Sequence, residues 1–185
     1  YSFTMVSDSL LMHCINYQDK GKFVFRNKFI TTIHGKNPIT DFHLLPGKIT
    51  DMNGDGYKEI VFGISTGYGL SPRKIFALDV KNNTIISSPE LGGHIGPLEF
   101  ADIDKDGMDE IAISNYGPGN IKDKALPMQD TCAYVLVLDN NLRFLFSPIP
   151  MIGTFNGVHN RFIRAKNEYI IASIWFPNGQ QSGVP

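Results

Sequence analysis

Charge of either sign is scarce in this chain of 185 residues: 17 Lys and Arg stand against 18 Asp and Glu, a formal charge of -1. That balance excludes a nucleic-acid groove built on bulk positive charge. Long apolar runs are missing as well, the longest being short stretches such as Tyr134 to Leu138, so nothing reaches the roughly 18–20 residues that cross a bilayer. Cysteine is nearly absent: Cys14 and Cys132 lie far apart and match no CxxC or Cys/His metal spacing, and they pair only if the fold brings them together. Two buried free thiols, packed as small hydrophobes, are expected. Helical periodicity is lacking too, since no window free of Gly and Pro places apolar residues at helical spacing over ten or more positions.

What the chain does have is 18 Gly, 11 Pro and 13 Phe, with 42% apolar residues overall. That apolar content suffices for a core and is too high for a disordered chain. Turn residues punctuate short segments rich in Ile, Val, Phe and Tyr, which is the pattern of many short strands.

A repeat of 51 residues organises the middle of the chain. His43, Pro46, Asp51, Asn53, Asp55, Gly56, Glu59 and Ile60 recur as His94, Pro97, Asp102, Asp104, Asp106, Gly107, Glu110 and Ile111. Each copy continues into a strand ending in an acid (Lys74 to Asp79; Tyr134 to Asp139), an Asn-Asn turn, and a second apolar strand. The unit therefore reads as four strands, one before the acidic loop, one after it, then a hairpin. Such a unit fits a β-propeller blade, in which small sheets stack face to face around an axis. The expected fold is all-β, with blades of four antiparallel strands at 39–91 and 94–148. Half blades at 1–36 and 155–176 supply complementary strands that would pair to close a ring.

The acidic loops carry the sharpest chemistry. Oxygen side chains stand at loop positions 1, 3, 5 and 9: Asp51, Asn53, Asp55 and Glu59 in one, Asp102, Asp104, Asp106 and Glu110 in the other. Alternate residues of a curled loop aim their oxygens at one point, and Ca²⁺ takes six to eight such ligands. A glycine at position 6 permits the bend, and position 7, Tyr57 or Met108, offers a backbone carbonyl. An EF-hand is excluded, because it needs a Glu at position 12, here Phe62 and Ile113, and flanking helices. The first loop brings three carboxyl groups and the second four, so the second is expected to bind more tightly. A structural rather than catalytic ion is expected, since no His or Lys stands at a fixed short distance to act on a bound water.

In these loops, and in the blade pattern around them, the sequence resembles the FG-GAP repeat family, the integrin α-subunit type of β-propeller, with its relatives often called VCBS repeats. The resemblance implies that each loop joins the first two strands of a blade and binds Ca²⁺. It carries over to Asp51, Asn53, Asp55, Tyr57 and Glu59, and to Asp102, Asp104, Asp106, Met108 and Glu110. Two departures are visible: Phe62, Gly63 and Ile64 replace a full FG-GAP phrase, and the last unit shrinks to Arg164 through Glu168 without an acidic ladder, so no metal is expected there.

Other candidates are weaker. His43 and His94 recur at the starts of equivalent strands and read as packing or hydrogen-bonding residues; Asp79 and Asp139 read as turn caps. Tyr68 and Tyr116 in equivalent loops, and Trp175 near the C-terminal end, are candidate contacts for a ligand. The long loop from Asn115 to Asp130 is a candidate recognition loop.

These readings converge on a calcium-binding propeller module that serves as an extracellular, cell-surface or periplasmic binding platform for a protein or glycan partner. The alternatives are the propeller portion of a polysaccharide lyase-like enzyme, and a structural or sensor segment of a larger receptor. At about 50 residues per blade the length yields some three blades, short of the usual 4–8. The chain is therefore expected to be part of a longer propeller, or to complete a ring as a homodimer.

Overall fold

The computed structural model describes residues 1–16, 18–35, 41–67, 69–119 and 128–176. Among them there is no helix; every named element is a strand and every pairing is antiparallel. Among the described residues no helix is long and apolar enough to cross a membrane.

The first sheet comprises β1 (Ser2–Val6), β2 (Ser9–Asn16) and β3 (Lys22–Thr32), in that order. The second is the first repeat unit and runs in simple meander order: β4 (Phe42–Thr50), β5 (Glu59–Thr66), β6 (Lys74–Asp79) and β7 (Thr84–Ser87). The third sheet is centred on β9 (Glu110–Tyr116). It is paired with β8 (His94–Ala101), β11 (Val137–Leu138) and the first residues of β13 (Gly157–Ala165), which continues as a hairpin with β14 (Glu168–Phe176). A small ribbon joins β10 (Tyr134–Val135) to β12 (Ile149–Pro150).

The side-chain alternation of a strand explains how these sheets stack. All eight residues of β5 are buried. Ile60, Phe62 and Ile64 face Leu10, Met12 and Ile30 of the first sheet, while Val61 faces Ile111 and Ile113 of the third. In β6, Phe76 and Leu78 join the first cluster, and Ile75 and Ala77 the second. Phe62 anchors the first interface, stacked on Phe76 at 5.6 Å between centroids and tilted against Phe3 at 5.0 Å. The third sheet buries its other face too, with Ala112 and Val137 against Phe162, Tyr169 and Ile171 of the β13–β14 hairpin. The result is a succession of face-to-face layers with open sheets, none closed into a barrel.

Two features differ from the strand pattern read in the sequence. In the second repeat, Leu142 to Ser147 forms no strand; it meets β11 through an isolated bridge between Phe144 and Leu138 and a bond from Leu145 N–H to the Val137 carbonyl at 3.0 Å. Leu142 sits in the left-handed region at φ 59°, and Pro148 and Pro150 have no amide hydrogen to give a ladder. In addition, the two terminal segments do not share a sheet. The N-terminal strands form a sheet of their own, and the C-terminal hairpin joins β9 through Gly157–Tyr116 and Val158–Asn115. Buried Asn160 fixes that junction by donating to the carbonyls of Ile113 (2.8 Å) and Tyr134 (3.2 Å) while accepting from Ser173 Oγ (2.7 Å). Cys14 and Cys132 are free thiols, but both are half-buried rather than buried.

Candidate metal-binding loops and a buried polar cluster

The two acidic loops connect β4 to β5 and β8 to β9, and four of their hydrogen bonds recur at equivalent positions. Gly56 N–H donates to Asp51 Oδ2 at 2.8 Å, as Gly107 does to Asp102 Oδ2 at 3.1 Å. Asp55 N–H donates to Asn53 Oδ1 (2.9 Å) as Asp106 does to Asp104 Oδ1 (3.1 Å). Tyr57 N–H donates to Asp55 Oδ1 (2.9 Å) as Met108 does to Asp106 Oδ1 (2.8 Å). Each ladder ends in a buried glutamate that reaches back to the loop start. Glu59 accepts from Met52 N–H at 2.7 Å and Glu110 from Ile103 N–H at 2.9 Å. Position 6 is left-handed in both, Gly56 at φ 82° and Gly107 at φ 92°. Position 4 is left-handed as well, Gly54 at φ 74° and Lys105 at φ 67°, a demand that a lysine conceals from sequence reading.

The loops diverge in how free their oxygens are. In the first, Asp51 Oδ1 also accepts from Gly54 N–H at 2.7 Å, and Lys81 sits 3.3 Å from Asp55 Oδ2 with its ammonium 3.8 Å above the Tyr57 ring. Burial works against the Asp51 carboxylate, yet the N–H groups of Gly56, Gly54, Asn53 and Asp55 hold its pKa below the ordinary value. In the second, carboxylate oxygens of Asp102, Asp104 and Asp106 lie within 4.8 Å of one another. Asp102 Oδ1 is buried without a hydrogen-bond partner among the described residues. Burial raises the pKa of Glu110, and the charges of Asp104, Asp106 and Asp102 add to that; Glu59 shifts the same way, through burial and then Asp79, Asp51 and Asp55. Convergent carboxylates at this spacing could supply hard oxygen ligands for a divalent cation. The second loop is also tied to its neighbours: Asp109 accepts from Lys48 Nζ (2.7 Å) and Thr50 Oγ1 (2.8 Å), and Lys105 Nζ donates to the Asn167 carbonyl at 2.9 Å.

Of the aromatic candidates, Tyr116 ends β9 and Trp175 lies near the end of β14, one strand apart across β13, and both are exposed. Tyr68, and the stretch 120–127 of the long loop, lie outside the described residues. The turn-capping acids behave as such: Asp79 accepts from Asn82 N–H (2.9 Å), and Asp139 from Asn141 (2.9 Å) and Arg143 (2.8 Å).

Sequence reading missed a buried polar cluster between the second and third sheets. Arg73, 0% exposed, donates to the carbonyls of Thr66 (2.8 Å) and Gly92 (2.6 Å) and pairs with buried Asp130 at 3.4 Å. His94 lies beside it, its Nδ1 3.5 Å from Ser65 Oγ. Burial, reinforced by the Arg73 charge, pulls the His94 imidazole down to about 4. Nothing in the local pattern around Arg73 marks it as buried; only the layering does.

Comparison with protein families, with curated proteins and with solved structures finds no match to this chain.

Proposed function

We infer that this protein is a calcium-binding, propeller-type repeat module whose layered sheets form a binding platform outside the cytosol. The observation that carries the reading is the second loop: three carboxylates converge within 4.8 Å and leave Asp102 Oδ1 buried with no partner. A buried, unpaired carboxylate oxygen among like charges is costly, and a bound cation removes that cost. The first loop repeats the same backbone hydrogen bonds and provides a second, weaker site, because Asn53 replaces one carboxylate. The ions clasp adjacent strands and leave catalysis to no residue of the loops. Open-loop sites of this kind fill at the millimolar calcium of extracellular or periplasmic fluid.

A protein or glycan partner has apolar surface available at both ends of the stack. Phe23, Phe29 and Ile15 of the first sheet, and Ile163, Ile170 and Ile174 of the C-terminal hairpin, are each about half exposed or more. Rings of stacked sheets close at about 4–8 members, so further repeats or a second copy of the chain would cover these faces. Titration calorimetry with CaCl₂ tests the core of the reading: two sites are expected, the tighter lost in Asp106→Ala. Absence of binding heat, together with no change of sedimenting mass or melting on adding EDTA, refutes it.

A further inference from the structure

A cleft of about 320 Å³ lies where the end of the first sheet meets the β6–β7 edge of the second. Its two sides are joined by a backbone bridge, His34 N–H to the Ser71 carbonyl at 2.7 Å and Ser71 N–H to the His34 carbonyl at 2.9 Å. The opening is therefore part of the fold rather than a gap between mobile side chains. Its volume is at the lower end of the range for small-molecule sites.

Two opposite charges face this cleft without meeting. Glu90 is held by Arg73 N–H, which donates to its Oε1 at 2.7 Å, and its Oε2 has no hydrogen-bond partner among the described residues. Burial raises the Glu90 pKa, against the pull of the Lys74, Arg73 and His34 charges. Lys74 opens β6, paired with Ile64, and forms no ion pair among the described residues. The ladder fixes the Lys74 backbone and the Arg73 amide holds Glu90 Oε1, which places the two side chains on the lining of one cleft. Glu90 is partly stripped of water and neither side chain closes an ion pair among the described residues, an arrangement that a ligand bearing both charges completes. Hydroxyls of Thr31, Ser71 and Ser87 add neutral partners. Of the two aromatic rings in the lining, Phe76 is only 5% exposed and offers no stacking platform to a sugar, while the His34 imidazole is exposed.

We propose that this cleft binds a small zwitterion of the size of a free α-amino acid, its ammonium group at Glu90 Oε2 and its carboxylate at Lys74. The site is independent of the acidic loops and is expected to bind in calcium and in EDTA alike.

The test is a calorimetric and amide-NMR screen of the chain against free amino acids. Acetate, methylammonium and neutral monosaccharides serve as controls. At least one amino acid binds with a millimolar or tighter Kd and shifts the amides of His34, Lys74 and Ser87, while the singly charged controls bind about tenfold or more weakly. Glu90→Gln keeps the acceptor for Arg73 N–H and Lys74→Met keeps the aliphatic stem; each weakens binding about tenfold or more without altering thermal unfolding. Should Glu90→Gln fail to fold, Lys74→Met decides alone, since the Lys74 ammonium forms no ion pair among the described residues. The proposal is overturned if no amino acid shifts those amides, or if a sugar binds as well and survives both substitutions.

Discussion

Replacing Asp102 by asparagine removes one carboxylate charge from the second loop while leaving an oxygen to accept the Gly107 N–H bond seen at 3.1 Å. The unpartnered Oδ1 becomes the position at stake. A ligand at a hundredfold excess over its Kd stabilises a fold by about 2.7 kcal/mol. For a chain of this size each kcal/mol moves Tm by about 2–4 °C, so filling the second loop raises Tm by roughly 5–11 °C. Asp102→Asn abolishes that part of the shift and leaves only the portion from the first loop. In EDTA the variant melts no lower than the unaltered protein, because three converging carboxylates have become two. Scanning calorimetry of both proteins, with CaCl₂ and with EDTA, reads all four quantities. A full calcium shift in Asp102→Asn, or no shift in the unaltered protein, refutes the reasoning.

Arg73→Met takes the positive partner from Asp130 and two donors from buried carbonyls, and is expected to cost about 3–5 kcal/mol in urea unfolding; a loss within experimental error would show the cluster to be dispensable. Asn160→Ala frees the carbonyls of Ile113 and Tyr134, at about 1–3 kcal/mol, and hydrogen exchange should speed up across 157–176 before it does in β5. His94 titrates at about 4 in the fold against 6.5 unperturbed. Between those values the unfolded chain binds a proton that the native one refuses, so this contribution is complete above 6.5 and falls as pH drops toward 4. His94→Gln therefore flattens the acid side of the stability curve by about one proton, which denaturation across that pH range measures.

The acidic loops were legible because their chemistry is local. Nine residues contain every donor and acceptor of the ladder apart from Lys81, and the glycine at position 6 marks a left-handed turn. The meander of the second sheet was legible for a similar reason: Lys74 to Asp79 and Thr84 to Ser87 are apolar runs separated by an Asn-Asn turn capped by Asp79. Leu142 to Ser147 has the same apolar look and forms no strand, because the conformation of Leu142 and the flanking prolines are a matter of context.

By itself, then, the sequence determined an all-β chain, a repeating unit, and two matching acidic loops, in the second of which three carboxylates converge, since strand alternation and turn chemistry act over a few residues. Tertiary structure alone decided which layers touch. It placed the C-terminal hairpin on β9, buried Arg73 beside Asp130, set Glu90 and Lys74 around one cleft, and left Asp102 Oδ1 without a partner. Each of these joins or isolates groups through the stacking of sheets, and burial changes the energy of a charge by more than any neighbour in the chain can foretell.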